Sequence, residues 1–97
     1  MTDWQITKCY NILNHYGREK QKIQAAQELN ELQALLLRRQ DQIANYNEFV
    51  DNLIDEIADV TIMIEQLRQC YEIWNSEIHD RINQKLNRQL ERMRGEP

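Results

Sequence analysis

The sequence predicts an all-α protein, an antiparallel four-helix bundle formed by a single domain over residues 1–97. Three observations carry that expectation. The chain has only two glycines and one proline, and Gly95 and Pro97 lie in the terminal fringe, so Gly17 is the one internal breaker. Gln, Glu, Leu, Arg and Asn dominate while β-branched residues are few, a composition that favours helix over strand. Apolar residues also recur at helical spacing in the longer segments.

A first helix fits Asp3 to Tyr16, capped by Thr2 or Asp3 and stopped by Gly17. A second runs from about Arg18 to Arg39 through "IQAAQELNELQALLL", and the polar stretch "QDQIANYN" reads as a connection. The third runs from about Asn47 to Trp74, with Asn45 or Asn47 as its cap. Asn75 and Ser76 break it, and Ser76 caps a fourth helix to about Arg94. At 1.5 Å per residue the third helix would be about 42 Å long. A compact chain of this size has a radius of gyration of only about 12–13 Å. Such a helix overhangs anything one chain can build, so the bundle is expected to be completed by oligomerisation, as a homodimer or homotetramer.

Charge and composition narrow the functions. A net charge of −4 lacks the general electrostatic footprint of a nucleic-acid binder. No apolar run approaches the roughly 20 residues needed to span a bilayer, and "MTDWQITK" is no signal peptide. The expectation is a cytoplasmic protein with neither nucleic acid nor membrane as partner. Cys9 and Cys70 lack metal-ligand company and read as reduced, packed thiols. There is no glycine-rich phosphate loop, no Ser/His/Asp set in a suitable context and no internal repeat.

The most apolar stretch, "DNLIDEIADVTIMIEQL" (Asp51 to Leu67), contains Glu56 and Asp59. A carboxylate taken from water needs a partner, a proton or a cation. Acid pairs at i, i+3 occur four times: Glu28/Glu31, Glu48/Asp51, Glu56/Asp59 and Glu77/Asp80. Helical projection separates them. Glu56 falls inside the stripe Phe49, Leu53, Ile57, Val60, Ile64, Leu67, Tyr71 and Trp74, with Asp59 on its edge. On the second helix Glu28 falls inside the stripe Ala25, Leu29, Leu32 and Leu36, with Glu31 on its edge. The other two pairs face away from apolar residues. Consecutive helices with a short connection pack antiparallel, so the two inward pairs can face each other. Four converging carboxylates repel unless some are protonated or a cation sits among them. Hard oxygen ligands suit Mg²⁺, or Mn²⁺ in its place, and no His or Cys favours zinc. A network with Arg38, Arg39 or Arg68 is the competing reading, but those arginines lie far along their helices.

"QELNE" (Gln27 to Glu31) and "DEIAD" (Asp55 to Asp59) resemble the EExxE…ExxD signature of the MazG-like nucleoside triphosphate pyrophosphatases, an all-α superfamily. "HYGREKQKIQAAQEL" and "ADVTIMIEQL" are similar to compact members, and the likeness runs from about His15 to Arg92. The resemblance implies Mg²⁺-dependent hydrolysis of a (deoxy)nucleoside triphosphate to monophosphate and pyrophosphate, in nucleotide-pool housekeeping. It makes Glu28, Glu31, Glu56 and Asp59 the metal ligands and catalytic carboxylates. Gln27 departs from the pattern, because the family has a Glu there and an amide cannot act as a base.

Arg81, Lys85, Arg88 and Arg92 form one ridge of the fourth helix beside Ile78, Ile82, Leu86 and Met93. By the same resemblance, Lys85 and Arg88 are the candidates for binding the triphosphate; solvated charge suited to a helix C-terminus is the plainer account. Trp4, Tyr10, His15, Tyr16, Tyr71 and Trp74 could stack a base, but core or interface packing is the plainer account of the aromatics; His15 and His79 read as surface residues, and Met63 and Met93 as core filler. Two alternatives stand beside the hydrolase. One is a non-catalytic helical interaction module, a degenerate relative kept in view by Gln27. The other is phosphoribosyl-ATP pyrophosphatase, although "ADVTIM" lacks that enzyme's aromatic–His pair.

Overall fold

Local signals set most of the helix ends. Thr2 Oγ1 accepts from the Gln5 N–H at 3.1 Å, and Gln5 Oε1 accepts from the Thr2 N–H at 2.8 Å, a reciprocal cap. That cap starts α1 (Asp3–Tyr16). Gly17 ends it at φ 88°, a conformation that a side chain resists, and its carbonyl accepts the first bond of α2 (Arg18–Leu36). A 3₁₀ turn, Gln40–Gln42, leads to α3 (Tyr46–Cys70), where Asn45 Oδ1 accepts from the Glu48 N–H at 3.1 Å. α4 (Asn75–Gly95) follows. This computed structural model describes residues 1–96, and among them the regular structure is entirely helical.

Two helices end earlier than the sequence predicts. α2 stops at Leu36 rather than Arg39, because Arg39 is extended and tied to the turn. Its N–H donates to Gln42 Oε1 at 2.9 Å, and its guanidinium pairs with Asp41 at 3.2 Å. α3 stops at Cys70 rather than Trp74. Glu72 takes a left-handed φ of 54°, and Arg68 Nη1 donates to the Ile73 carbonyl at 2.9 Å, holding the turn closed.

The core is the seam between α2 and α3. Gln21, Ala25, Glu28, Leu32 and Leu35 alternate at four- and three-residue steps along α2, all buried or half-buried. Leu53, Glu56, Val60, Met63 and Leu67 do the same along α3. Early α2 meets late α3, since Gln21 Nε2 donates to Gln66 Oε1 at 2.7 Å, and Leu35 shares a cavity with Asn52 near the start of α3. That is the pairing order of two antiparallel helices. α1 packs across both, burying Cys9 and Leu13, and Gln69 Nε2 donates to the Ile6 carbonyl at 3.2 Å. Both cysteines are free, Cys9 among the core residues.

Several apolar residues face outward. Leu29 and Leu36 on α2, Ile57 and Ile64 on α3, and Tyr71 just past its end are exposed although the projection places them in the stripes. Trp74, Trp4, Tyr10, Tyr16 and Met93 are exposed as well, so none is core packing within one chain. α4 buries no residue, and three helices rather than four form the packed body. The radius of gyration is accordingly 16.8 Å, above the about 12–13 Å of a compact chain this long.

A polar knot fixes where α3 ends. Glu65 is buried, with Arg68 Nη2 at 2.7 Å and Gln69 Nε2 at 2.9 Å from its Oε2. Burial pushes the Glu65 carboxyl up. Hydrogen bonds from Arg68 and Gln69, with the Arg68 charge, outweigh that and leave its pKa below the ordinary value. A lowered pKa stabilises the fold above the unfolded carboxyl value of about 4.3, and the contribution is lost as pH falls through the folded pKa. Glu65→Ala is expected to cost about 3 kcal/mol at neutral pH by stranding Arg68. Thermal melts from neutral to acid pH should show the variant losing less stability than the parent below about pH 4.

Candidate functional site

Glu28 and Glu56 occupy seam positions, which is why they meet. The four–three register that buries Ala25 and Leu35 puts Glu28 between them on α2, and Glu56 stands between Leu53 and Val60 on α3. Glu31, one turn beyond Glu28, reaches the same point from the solvent side. One carboxylate oxygen from each of Glu28, Glu31 and Glu56 lies within 4.8 Å of the others. Glu28 Oε1 accepts from Gln24 Nε2 at 2.9 Å. The second oxygens of Glu28 and Glu56 are buried and have no hydrogen-bond partner.

Among the described residues no cation pairs with these acids. Arg39 is committed to Asp41 and Arg68 to Glu65, which disposes of two arginines from the competing network. Arg38 makes no ion pair, yet it walls a cavity of about 370 Å³ with Glu31, Asn52, Asp55 and Glu56. The site therefore has uncompensated negative charge, orphaned buried oxygens and access from solvent. Three hard oxygen donors of this kind match the ligand preference of Mg²⁺ or Mn²⁺.

Asp59 stands at the edge of the cluster, exposed and outside the group of three. Its carboxyl pKa is raised by desolvation first, then by the negative charges of Glu28 and Asp55. Ionising it therefore works against the fold as pH climbs above the unfolded value of about 3.9. Gln27 is exposed, next to Glu28 but turned from the seam. Lys85 and Arg88 are on α4, exposed, and neither walls the acid-lined cavity of its own chain; Lys85 borders a groove with Ile73, Ile78 and Ile82. Asn52 and Asp55 belong to the cavity although the acid spacing alone does not single them out. Asn52 sits one turn before Glu56, a spacing that puts both on one face.

Compared with known proteins, the chain matches no family model, no curated protein and no solved structure.

Glu56→Gln is expected to raise the melting temperature of the metal-free protein, because it removes a buried like charge and supplies an amide donor for the orphaned oxygens. Mg²⁺ or Mn²⁺ at a hundred times its dissociation constant is expected to stabilise the parent by about 2.7 kcal/mol and the variant far less. Thermal melts with and without the ions check both outcomes, and a parent indifferent to millimolar Mg²⁺ would remove the metal site.

Proposed function

We propose that the chain is a Mg²⁺-dependent nucleoside triphosphate pyrophosphohydrolase of the MazG-like kind, yielding (d)NMP and pyrophosphate. One observation carries the reading. Three carboxylates from two paired helices converge within 4.8 Å, with two buried oxygens unpartnered. The order of the acids, "QELNE" then "DEIAD", adds the family resemblance.

Glu28, Glu31 and Glu56 would hold the ion, with Asp59 as a further ligand from the rim. A divalent cation there supplies positive charge against the phosphates and lowers the pKa of water. The remaining work falls to the chain. Water adds at the α phosphorus, the bond to the α–β bridging oxygen breaks, and pyrophosphate leaves with that oxygen. One carboxylate of the set would take the water's proton. Glu31, exposed at the mouth, can orient that water. Gln27 faces solvent and takes no part within one chain, which makes the family departure tolerable. The outward face of Gln27 also supports the second reading, an interaction module that keeps the acids without turnover.

The proposed enzyme is a homodimer or homotetramer. The outward stripes support this: Ile54, Ile57 and Ile64 on α3, and Ile82, Leu86, Leu90 and Met93 on α4. Contiguous exposed apolar area on this scale marks an interaction surface. An assembly covering α4 would also bring Lys85 and Arg88 against a second copy, the route by which they would reach a triphosphate.

Pyrophosphate release from a panel of nucleoside triphosphates with Mg²⁺ tests the activity. Turnover is expected in the parent and a loss of at least a hundredfold in Glu56→Gln, about 2.7 kcal/mol of barrier; a silent panel would favour the interaction module. For assembly, Ile64→Asp is the informative change. Ile64 is exposed within one chain, so in a monomer the substitution should stay within about 0.5 kcal/mol. In the proposed oligomer it should dissociate the complex at micromolar concentration, read by light scattering.

A further inference from the structure

The acid-lined cavity does not end at the acids. A second, smaller hollow of about 160 Å³ adjoins it, and Arg38 and Asn52 line both. The two are thus chambers of one groove along the α2–α3 junction, with Arg38 and Asn52 at the waist. Their chemistry differs. The first chamber presents Glu31, Asp55 and Glu56. The second is walled by Ile43 and Phe49, both half-buried, with the amides of Gln42 and Asn45 and a single acid, Glu48, also lining it.

The side chains at the waist and rim hold unused hydrogen-bonding capacity. The Arg38 guanidinium makes no ion pair or hydrogen bond among the described residues, whereas its neighbour Arg39 is held by Asp41. Asn45 spends its oxygen on the Glu48 N–H and Gln42 its oxygen on the Arg39 N–H, leaving both NH₂ groups free. A planar guanidinium with five donors matches phosphate oxygens. Amides beside an aromatic wall match a flat heterocycle, which stacks on its face and hydrogen-bonds at its edge. Together the chambers fall in the size range of about 300–1,000 Å³ usual for small-ligand sites.

We propose that this groove is the nucleotide-binding site of the chain, with Arg38 gripping the phosphate chain where it leaves the acids and the Ile43/Phe49 chamber taking the base. The orientation follows from charge. The phosphates lie toward the three carboxylates and their cation, and the uncharged ring lies against the apolar walls of the second chamber, which carries one acid, Glu48, rather than three. Arg38 is thus a substrate-binding residue supplied by the same chain, independent of α4. The assignment of a nucleoside triphosphate as ligand rests on the pyrophosphatase reading above.

The test measures binding and turnover side by side. A nucleoside triphosphate analogue with a methylene group in place of the α–β bridging oxygen, and inorganic tripolyphosphate, are titrated calorimetrically in Mg²⁺ into the parent, Arg38→Ala and Arg39→Ala. The analogue is expected to bind the parent at least tenfold more tightly than tripolyphosphate. Arg38→Ala should weaken it at least tenfold, and Arg39→Ala, which removes the same charge one residue away, should leave it unchanged. Arg38→Lys should recover part of the loss. In turnover, Arg38→Ala should raise KM about tenfold with kcat nearly kept, the pattern of lost uniform binding. Equal effects of the two alanine variants, tripolyphosphate binding as tightly as the analogue, or a parent that binds neither, would overturn the groove assignment. A parent that hydrolyses nucleotides while Arg38→Ala keeps its KM overturns the groove alone. A parent that shows the binding pattern without releasing pyrophosphate overturns the hydrolase reading and leaves the nucleotide site standing.

Discussion

Two carboxylates stand in a seam that has places for leucine. The α2–α3 interface repeats at four- and three-residue steps, and at its middle the repeat falls on Glu28 and Glu56. Two leucines there would join Leu32, Leu35, Leu53 and Val60 in a continuous core and add about 1.5–3 kcal/mol each on burial. Instead the seam carries like charges with oxygens buried and unpartnered. This constraint spreads outward. The cavity bordered by Glu31, Asp55 and Glu56 opens beside this point of the seam, so the charged middle of the helix pair is reachable from solvent.

The rest of the fold compensates at the other end of the pair. Gln21 and Gln66 share a hydrogen bond of 2.7 Å where α2 begins and α3 finishes, and the Glu65–Arg68–Gln69 knot lies just beyond. The Gln21–Gln66 bond specifies the α2–α3 register, because a shift of one residue would leave both amides unpaired, whereas the knot lies within α3 and fixes its end. The register in turn keeps Glu28 opposite Glu56. The same knot sets the exit of α4: Arg68 holds both Glu65 and the Ile73 carbonyl, so the direction of the last helix is coupled to the end of the seam.

Much of this is written in short-range signals. Thr2 with Gln5 and Gly17 bound α1 at the residues the sequence predicts, and Asn45 caps α3 as its position implies. The spacing of Glu28, Glu31 and Glu56 likewise foreshadows their meeting. The illegible parts are set by contacts between side chains and turns. α2 stops at Leu36 because Arg39 is drawn to Asp41 and Gln42, contacts that no helical periodicity encodes, and Arg38 just past the stop borders the groove. The facing of Leu29 and Leu36 fails for a different reason. A helical projection weights hydrophobicity alone, whereas the seam is chosen by what the partner helix offers, and here Gln21 and Glu28 take the inner positions.

Charge is segregated along the chain in a way that net charge conceals. From Arg81 to Arg94, α4 carries Arg81, Lys85, Arg88, Arg92 and Arg94 against Glu91, while α3 from Glu48 to Asp59 carries only acids. The overall −4 is thus the sum of an acidic body and a basic arm. On α4, Arg81, Lys85, Arg88 and Arg92 run beside the apolar line of Ile82, Leu86 and Leu90, which is exposed along its length. Burial of that line supplies non-directional attraction, and the adjacent cations select among surfaces by sign. An anionic surface would satisfy both, and the acid-rich flank of α3, with Ile54, Ile57 and Ile64 exposed beside it, is one such surface within the same chain type. α4 has no residue buried, so its apolar line is left available to the second copy of the proposed assembly. Apolar stripe meeting apolar stripe and basic ridge meeting acidic flank is the arrangement that makes the proposed assembly self-complementary. It also explains why an arm with almost no intramolecular packing carries so regular a pattern.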